Sequence, residues 1–331
     1  VYINDGFNMV WMTPHEGIPA SGLAQEDFRR DTNDDGSDGV RVRYLGAEYA
    51  TRWGVDVSNH QGTIDWAALK RQGIDFAYLR LGLRGYGEKG SLYPDRSFDS
   101  YYSGARAAGI EVGVYFFSQA ATVQEAAQEA LYALQLLDGR DLDLPVYYDW
   151  EPVQQEDSRT LHNNEFLLTS QARTFCALIE QGGYEAGVYM NRQQGYYRYD
   201  LSSMENIALW IADPGDYPDF YYRFDVWQYD HGARLDGVNE IVDLNVEFVP
   251  REGRPIRQIS ADMCDVLVTK LDRLALVTFD GLGDPCDELF FHPGMAVLRI
   301  SRLKDGEVDP MVEAMDLKPG YSVLDLSLIH I

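Results

Sequence analysis

From about residue 52 the chain alternates short apolar, β-branched and aromatic runs with longer stretches whose apolar residues recur at helical spacing. "VQEAAQEALYALQLL" predicts a helix over 123–137. Three junctions repeat one theme: "QGIDFAYLRLG", "AGIEVGVYFFS" and "GGYEAGVYMN" each place glycine after a helical stretch, then an acidic residue, then a strand. Glycine suits the left-handed residue that ends a helix, and regular helix–strand alternation predicts parallel βα units. After "ENIALWIAD" too few residues separate the strands ending near Asp213, Asp230 and Asp243 for long helices. The expected fold class is therefore α/β, a barrel that begins as βα units and finishes with strands alone.

Catalytic groups of parallel barrels collect at the C-terminal ends of the strands. Here those ends carry Asp56 in "GVDVS", Asp149 and Glu151 in "YYDWE", Asn191 in "VYMN", Asp213 in "WIAD" and Asp243 in "IVDLN". Several carboxylates would thus converge on one rim. In "LPVYYDWEP" the run Val146, Tyr147, Tyr148 reads as a strand, on which positions i and i+2 share a face. Asp149 and Glu151 would then point the same way, either at a wet strand end or where a proton is being tuned.

Outside the barrel the pattern weakens. Residues 1–48 read as an irregular N-terminal extension ending in a polar, glycine-rich linker, "DTNDDGSDG". That linker begins like an EF-hand loop at Asp31, but Val42 stands where a bidentate glutamate is needed, so no calcium site is expected. "GYGEKG" at 85–90 fits a dinucleotide fingerprint, yet the proline of the following "SLYPD" opposes a helix there. It reads as a flexible loop over the cleft rim. Asp65 and Trp66 read as cap and staple of the first helix, and Glu156 and Asp157 as solvated. Residues 251–331 form a separate C-terminal segment with short apolar runs such as "GMAVLRISRL".

Composition narrows the function. Twenty-eight Lys and Arg against 53 Asp and Glu give a net charge of −25, unsuited to nucleic acid or anionic membranes. Cys176, Cys264 and Cys286 lie far apart and the six histidines lack ligand spacing, so neither a disulfide framework, a metal site nor a cofactor is expected. No apolar run is long enough to span a membrane. The chain starts at Val1 without a visible signal peptide, which reads as a processed or incomplete N-terminus. Aromatics at 13% suit a sugar-binding cleft.

The ordered motifs "GVDVSNHQGTIDW", "GVYFFS", "LPVYYDWE", "GVYMN", "LWIAD" and "DVWQYDHGARLDGVNEIVDLN" resemble those of glycoside hydrolase family 25, the Ch-type lysozymes or N-acetylmuramidases, over about residues 52–248. The resemblance implies a modified TIM-like (β/α)5(β)3 barrel over 49–250. It also implies hydrolysis of the β-1,4 bond between N-acetylmuramic acid and N-acetylglucosamine. By position, Glu151 matches the general acid and Asp149 the residue orienting the 2-acetamido group. Asp56 and Asp243 match further acids of the cleft. Tyr115, Tyr189, Trp210, Asp213, Trp227 and Gln228 are candidate substrate-binding residues. Peptidoglycan glycan strands would be the partner, the protein a monomer, and its place extracellular or in the cell wall.

Glycoside cleavage needs an acid still protonated near neutral pH and negative charge beside an oxocarbenium-like transition state. Repulsion from neighbouring carboxylates would hold the proton on Glu151 while the aspartates stay charged. A strand rise of about 3.3 Å puts residues 149 and 151 roughly 6.5 to 7 Å apart at Cα, which separates neither retaining from inverting geometry. The resemblance favours retention through the acetamido oxygen; water activated by Asp56 is the direct alternative. Bland roles stay open: a capping Asp56, a structural Asp243, a solvated Asp213, and core Tyr115 and Tyr189. A non-catalytic glycan-binding barrel and a glycosidase for chitin are the competing functions. The C-terminal "LFFHPGMAVLRISRLKDGEVDPMVEAMDLKPGYSVLDLS" weakly resembles the approach to the cofactor motif of S-adenosylmethionine-dependent methyltransferases. The glycines that should follow are missing, so the segment is read as a truncated or fused, poorly folded appendage without that activity.

Overall fold

A computed structural model describes residues 1–32, 38–153, 158–204 and 206–251, together with four short strands further on. The chain divides into two units, 1–258 and 259–331. The first contains a closed eight-stranded barrel. Its strands are β5 (Tyr49–Val57), β6 (Phe76–Arg84), β8 (Glu111–Ser118), β9 (Val146–Trp150), β10 (Ala186–Asn191), β11 (Ala208–Ala212), β12 (Val226–Ala233) and β13 (Val242–Pro250). The first seven of these run parallel to one another in that order, and β13 closes the barrel by pairing antiparallel with both β12 and β5.

Helices α1 (Trp66–Arg71), α2 (Phe98–Ala107), α3 (Val123–Leu137), α4 (Glu165–Gln181) and α5 (Arg192–Tyr197) follow the first five barrel strands, and none follows β11 or β12. This is the expected (β/α)5(β)3 order. Local chemistry explains the boundaries: Asp65 accepts a hydrogen bond from the Ala68 amide and Thr122 from the Glu125 amide, starting α1 and α3. Gly73, Gly109 and Gly183, the glycines of the three repeated junctions, have φ of 89°, 71° and 90°.

Alternation along the strands fills the barrel with an aromatic plug. Phe76, Tyr78, Tyr147 and Trp210 pack inside with Leu144, Ala208 and Val226, and Tyr115 and Tyr189 lie against them. Gly113 and Gly187 make room, since a Cβ on either would stand 2.4 or 2.3 Å from the Tyr78 or Tyr147 ring. The plug is the floor on which the polar groups of the C-terminal rim stand.

One expectation is corrected. The N-terminal segment is not irregular: it holds the hairpins β1 (Tyr2–Asn4) with β2 (Met9–Trp11) and β3 (Phe28–Thr32) with β4 (Asp38–Tyr44). Phe28 lies edge-on to Trp227 and Phe248 at 5.5 and 6.1 Å, and Tyr44 to Phe248 at 5.8 Å. The segment thus covers the outer wall of β12 and β13, apolar surface that no helix shields. "GYGEKG" forms the turn between β6 and the short antiparallel β7 (Leu92–Pro94), and Arg84 Nη1 donates to the Gly90 carbonyl at 2.7 Å.

Most of the linker, Glu156 and Asp157 lie outside the described residues. In the second unit β14 (Asp265–Val268), β15 (Leu274–Thr278), β16 (Glu288–Phe291) and β17 (Leu324–Asp325) form one sheet in that order. The remainder of the methyltransferase-like stretch, with Cys264 and Cys286, lies outside the described residues. Among the described residues no helix is long and apolar enough to cross a membrane.

Candidate active site

A cavity of about 290 Å³ opens at the C-terminal ends of the parallel strands, lined among others by Asp56, Asp149, Glu151 and Asp243. Strand β9 is buried along its whole length, with Tyr147 in the plug and Asp149 one pleat above it. Asp149 is paired in register with Phe117 of β8 and Tyr189 of β10. Its Oδ1 is buried and meets no hydrogen-bond partner among the described residues. Glu151 lies just past the strand end, at the mouth of the same cavity.

Burial first, then the charges of Glu151 and Asp56, holds the Asp149 carboxyl well above the ordinary carboxylate range, and Arg80 pulls the other way. Glu151 is raised too, by lost hydration first and by Asp56 second. Repulsion, the expected cause, is present, and desolvation stands ahead of it. Nor do the aspartates simply stay charged: Asp149, deeper than Glu151, is also pushed toward its neutral form.

Across the cavity Asp56 is held by amides. Its Oδ1 accepts from Asn245 Nδ2 at 2.7 Å and from Gln228 Nε2 at 2.8 Å. Gln228 Oε1 in turn accepts from the Tyr189 hydroxyl at 2.8 Å and lies 3.0 Å from His231 Nε2. The tyrosine donor fixes which end of the Gln228 amide faces Asp56. Asn245 is oriented likewise, by Trp210 Nε1 donating to its oxygen at 2.8 Å. Burial and the Asp243 charge push Asp56 up to about 7 despite these donors, and burial and Glu151 push Asp243 up to about 6.

The cavity wall also carries Arg80, which donates through Nε to the buried Asp95 at 2.8 Å and through Nη2 to Asn59. The site is thus four carboxyl groups whose proton affinity is raised, one anchored cation and an aromatic floor. Such a set can donate a proton, hold a polar N–H and stabilise positive charge at a sugar ring. Among the described residues no three His, Cys, Asp or Glu are grouped to hold a metal ion.

Of the candidates, Asp56, Asp149, Glu151, Asp243, Tyr115, Tyr189, Trp210 and Gln228 all line this cavity. Asp213 and Trp227 do not. Asp213 is buried beside it, bound by Arg192 Nε at 3.0 Å and the Asp219 amide at 2.6 Å, and burial raises it to about 6. Trp227 faces the outside of the barrel, donating Nε1 to the Asp213 carbonyl at 2.7 Å. Asn191 caps α5. Sequence reasoning passed over Asn245 and Arg80. The signal for Asn245 was present, because it stands two residues after Asp243 on one strand and so shares its face.

A model of the glycosyl hydrolases family 25 matches residues 55–238, more than half of the chain. The chain belongs to glycosyl hydrolase family 25. It is 25% identical over 194 residues to the autolytic lysozyme of Clostridium acetobutylicum, covering 58% of this chain and 54% of that one. To lysozyme M1 of Streptomyces globisporus it is 27% identical over 204 residues, covering 58% and 66%. The chain therefore spans between about half and two thirds of the length of these curated relatives. Among solved structures, the modular autolysin LytC from Streptococcus pneumoniae, in complex with synthetic peptidoglycan ligand, shares the fold. The TM-score is 0.51 at 20% identity, over 69% of this chain and 57% of that one. Within this family-25 barrel the matched stretch holds Asp56, Asp149, Glu151 and Gln228, while Asp243 and Asn245 lie on the closing strand beyond it.

Proposed function

We propose that the protein is a peptidoglycan hydrolase, an N-acetylmuramidase that cleaves the β-1,4 bond between N-acetylmuramic acid and N-acetylglucosamine. The observation that carries this reading is the pairing at the end of β9. Asp149 is buried with one carboxyl oxygen unpartnered, and Glu151 two residues later stands at the mouth of the cavity. The names of the relatives, both lysozymes, agree with it.

Glu151, whose hold on its proton is raised by lost hydration and by Asp56, gives that proton to the glycosidic oxygen so that the leaving sugar does not depart as an alkoxide. Asp149 Oδ1 accepts the N–H of the 2-acetamido group, turning the acetamido oxygen toward the anomeric carbon. That oxygen closes on the carbon as the bond breaks, a substrate-assisted retaining route. Asp56 and Asp243 face the developing positive charge, and Glu151, now ionised, takes a proton from the water that opens the cyclic intermediate. Tyr115, Tyr189 and Trp210 supply apolar surface for the sugar rings. Glycan strands of peptidoglycan are the partner, and the place of action is outside the cell or in its wall.

The test is release of reducing ends from purified peptidoglycan by this protein and by Glu151→Gln, with the new reducing sugar identified. N-acetylmuramic acid ends from the intact protein, and a loss of about 10²-fold or more in the variant, are expected. Polymer binding without new ends from either would make the barrel a glycan-binding module. Equal release from chitin would move the substrate class.

A further inference from the structure

The backbone that carries Glu151 leaves the sheet just where its geometry matters most. The register of β9 with β10 ends at Asp149 and that with β8 at Trp150. Pro152 follows, with no N–H and a fixed φ. The carbonyls of Trp150 and Glu151 thus lose their ladder partners beside the buried Asp149, where an unmade hydrogen bond is costly.

Two buried glutamines take the place of the ladder, one from each neighbouring strand. Gln119, directly after β8 and 0% exposed, donates Nε2 to the Glu151 carbonyl at 2.8 Å. The same Nε2 donates to the Ser118 carbonyl at 2.8 Å, so both of its hydrogens are used. Gln194, in α5 after β10 and 3% exposed, donates Nε2 to the Trp150 carbonyl at 2.8 Å. Its Oε1 accepts the Asn191 amide at 2.7 Å, so the nitrogen end must face β9. Gln119 is itself braced: its carbonyl accepts from Arg159 Nη1 at 2.7 Å and its Oε1 from the Thr160 hydroxyl at 3.2 Å.

We infer that Gln119 and Gln194 are positioning residues for the reaction, a two-sided clamp that fixes the peptide bearing Glu151 so that its carboxyl meets the glycosidic oxygen. The inference rests on Glu151 being the general acid. Neither glutamine lines the cavity. Both act through the backbone, and their effect is confined to steps that need the Glu151 proton.

The experiment is a double-mutant cycle on peptidoglycan hydrolysis between Gln119→Met, close to glutamine in volume but without the donor, and Glu151→Gln, with melting temperatures alongside. Gln119→Met is expected to lower kcat by about tenfold with KM changed less than about twofold, since small misplacements of a catalytic group cost one to two orders of magnitude. In the Glu151→Gln background the same change should cost less than about twofold, because the residue it positions no longer donates. A full loss in that background, or wild-type kcat for Gln119→Met, overturns the clamp while leaving the general acid in place. Wild-type turnover by Glu151→Gln overturns the general acid and the clamp together. Should Gln119→Met not fold, Gln194→Met enters the same cycle with the same expectation.

Discussion

Asp243 stands directly opposite Asp56 in the β13–β5 register, and one amide nitrogen, Gln228 Nε2, lies 3.4 Å from Asp243 Oδ2 and 2.8 Å from Asp56 Oδ1. Two carboxyl groups are thus held across the last seam of the barrel. Asp243 is raised from 3.8 to about 6 by this setting, which means the fold prefers its neutral form. Its favourable contribution is complete below the unfolded value and is lost as pH rises through about 6. Asp243→Asn should therefore melt later than the parent above about pH 7, by on the order of 1 kcal/mol after allowance for partial solvent screening. At about pH 4 the two should coincide. Thermal unfolding across this range is the check, and a gain that persists at acid pH would refute the assignment.

Trp227 should behave as a wall residue. Its ring lies under Phe28 and its Nε1 serves the Asp213 carbonyl, away from the cavity. Trp227→Phe is expected to cost about 1 to 3 kcal/mol of stability through a lost hydrogen bond and lost contacts. KM for peptidoglycan should stay within about twofold of the parent, since no binding contact is removed. Denaturant unfolding and steady-state kinetics on one preparation separate the two effects.

A third expectation concerns the far side of the sheet. Glu129 is 0% and Arg84 3% exposed, and Arg84 Nε donates to Glu129 Oε1 at 2.7 Å, while the Ser118 hydroxyl donates to Oε2 at 2.6 Å. Burial lifts Glu129 from 4.5 to about 7 even with the guanidinium drawing it down. Arg84→Met removes that draw and raises the group further, with a loss of about 3 to 5 kcal/mol where the carboxylate is forced to ionise. As stability is lost when pH rises through a raised folded value, the deficit should be larger at about pH 8 than at about pH 5. Adding Glu129→Gln should recover most of it, and melting curves of the single and double variants decide.

Much of this molecule could be read from its sequence because barrel strands announce their faces. The alternation that aimed Asp149 and Glu151 one way also put Tyr147 in the plug beneath them. By the same rule Trp227 and Gln228, adjacent on β12, face opposite sides, and only Gln228 lines the cavity. The polar N-terminal hairpins were harder to read, since "FRRDT" and "DGVRVRY" are rich in arginine and carry their meaning only against the bare wall of β12 and β13. Gln119 gave no signal either, because it acts on a main-chain carbonyl, which every residue has.

The order of the barrel strands has a bearing on how the protein is made. Asp56 lies on the first barrel strand and Asp243 on the last, and they meet only when β13 docks beside β5. Pairings between distant parts of a chain form late, because their loop entropy must be met before the contact stabilises anything. Emerging from the ribosome, the chain has its acid strand β9 long before it has the seam. The full set of carboxyl groups thus appears only after the final barrel strand is released, so the candidate site is completed by the same step that closes the barrel.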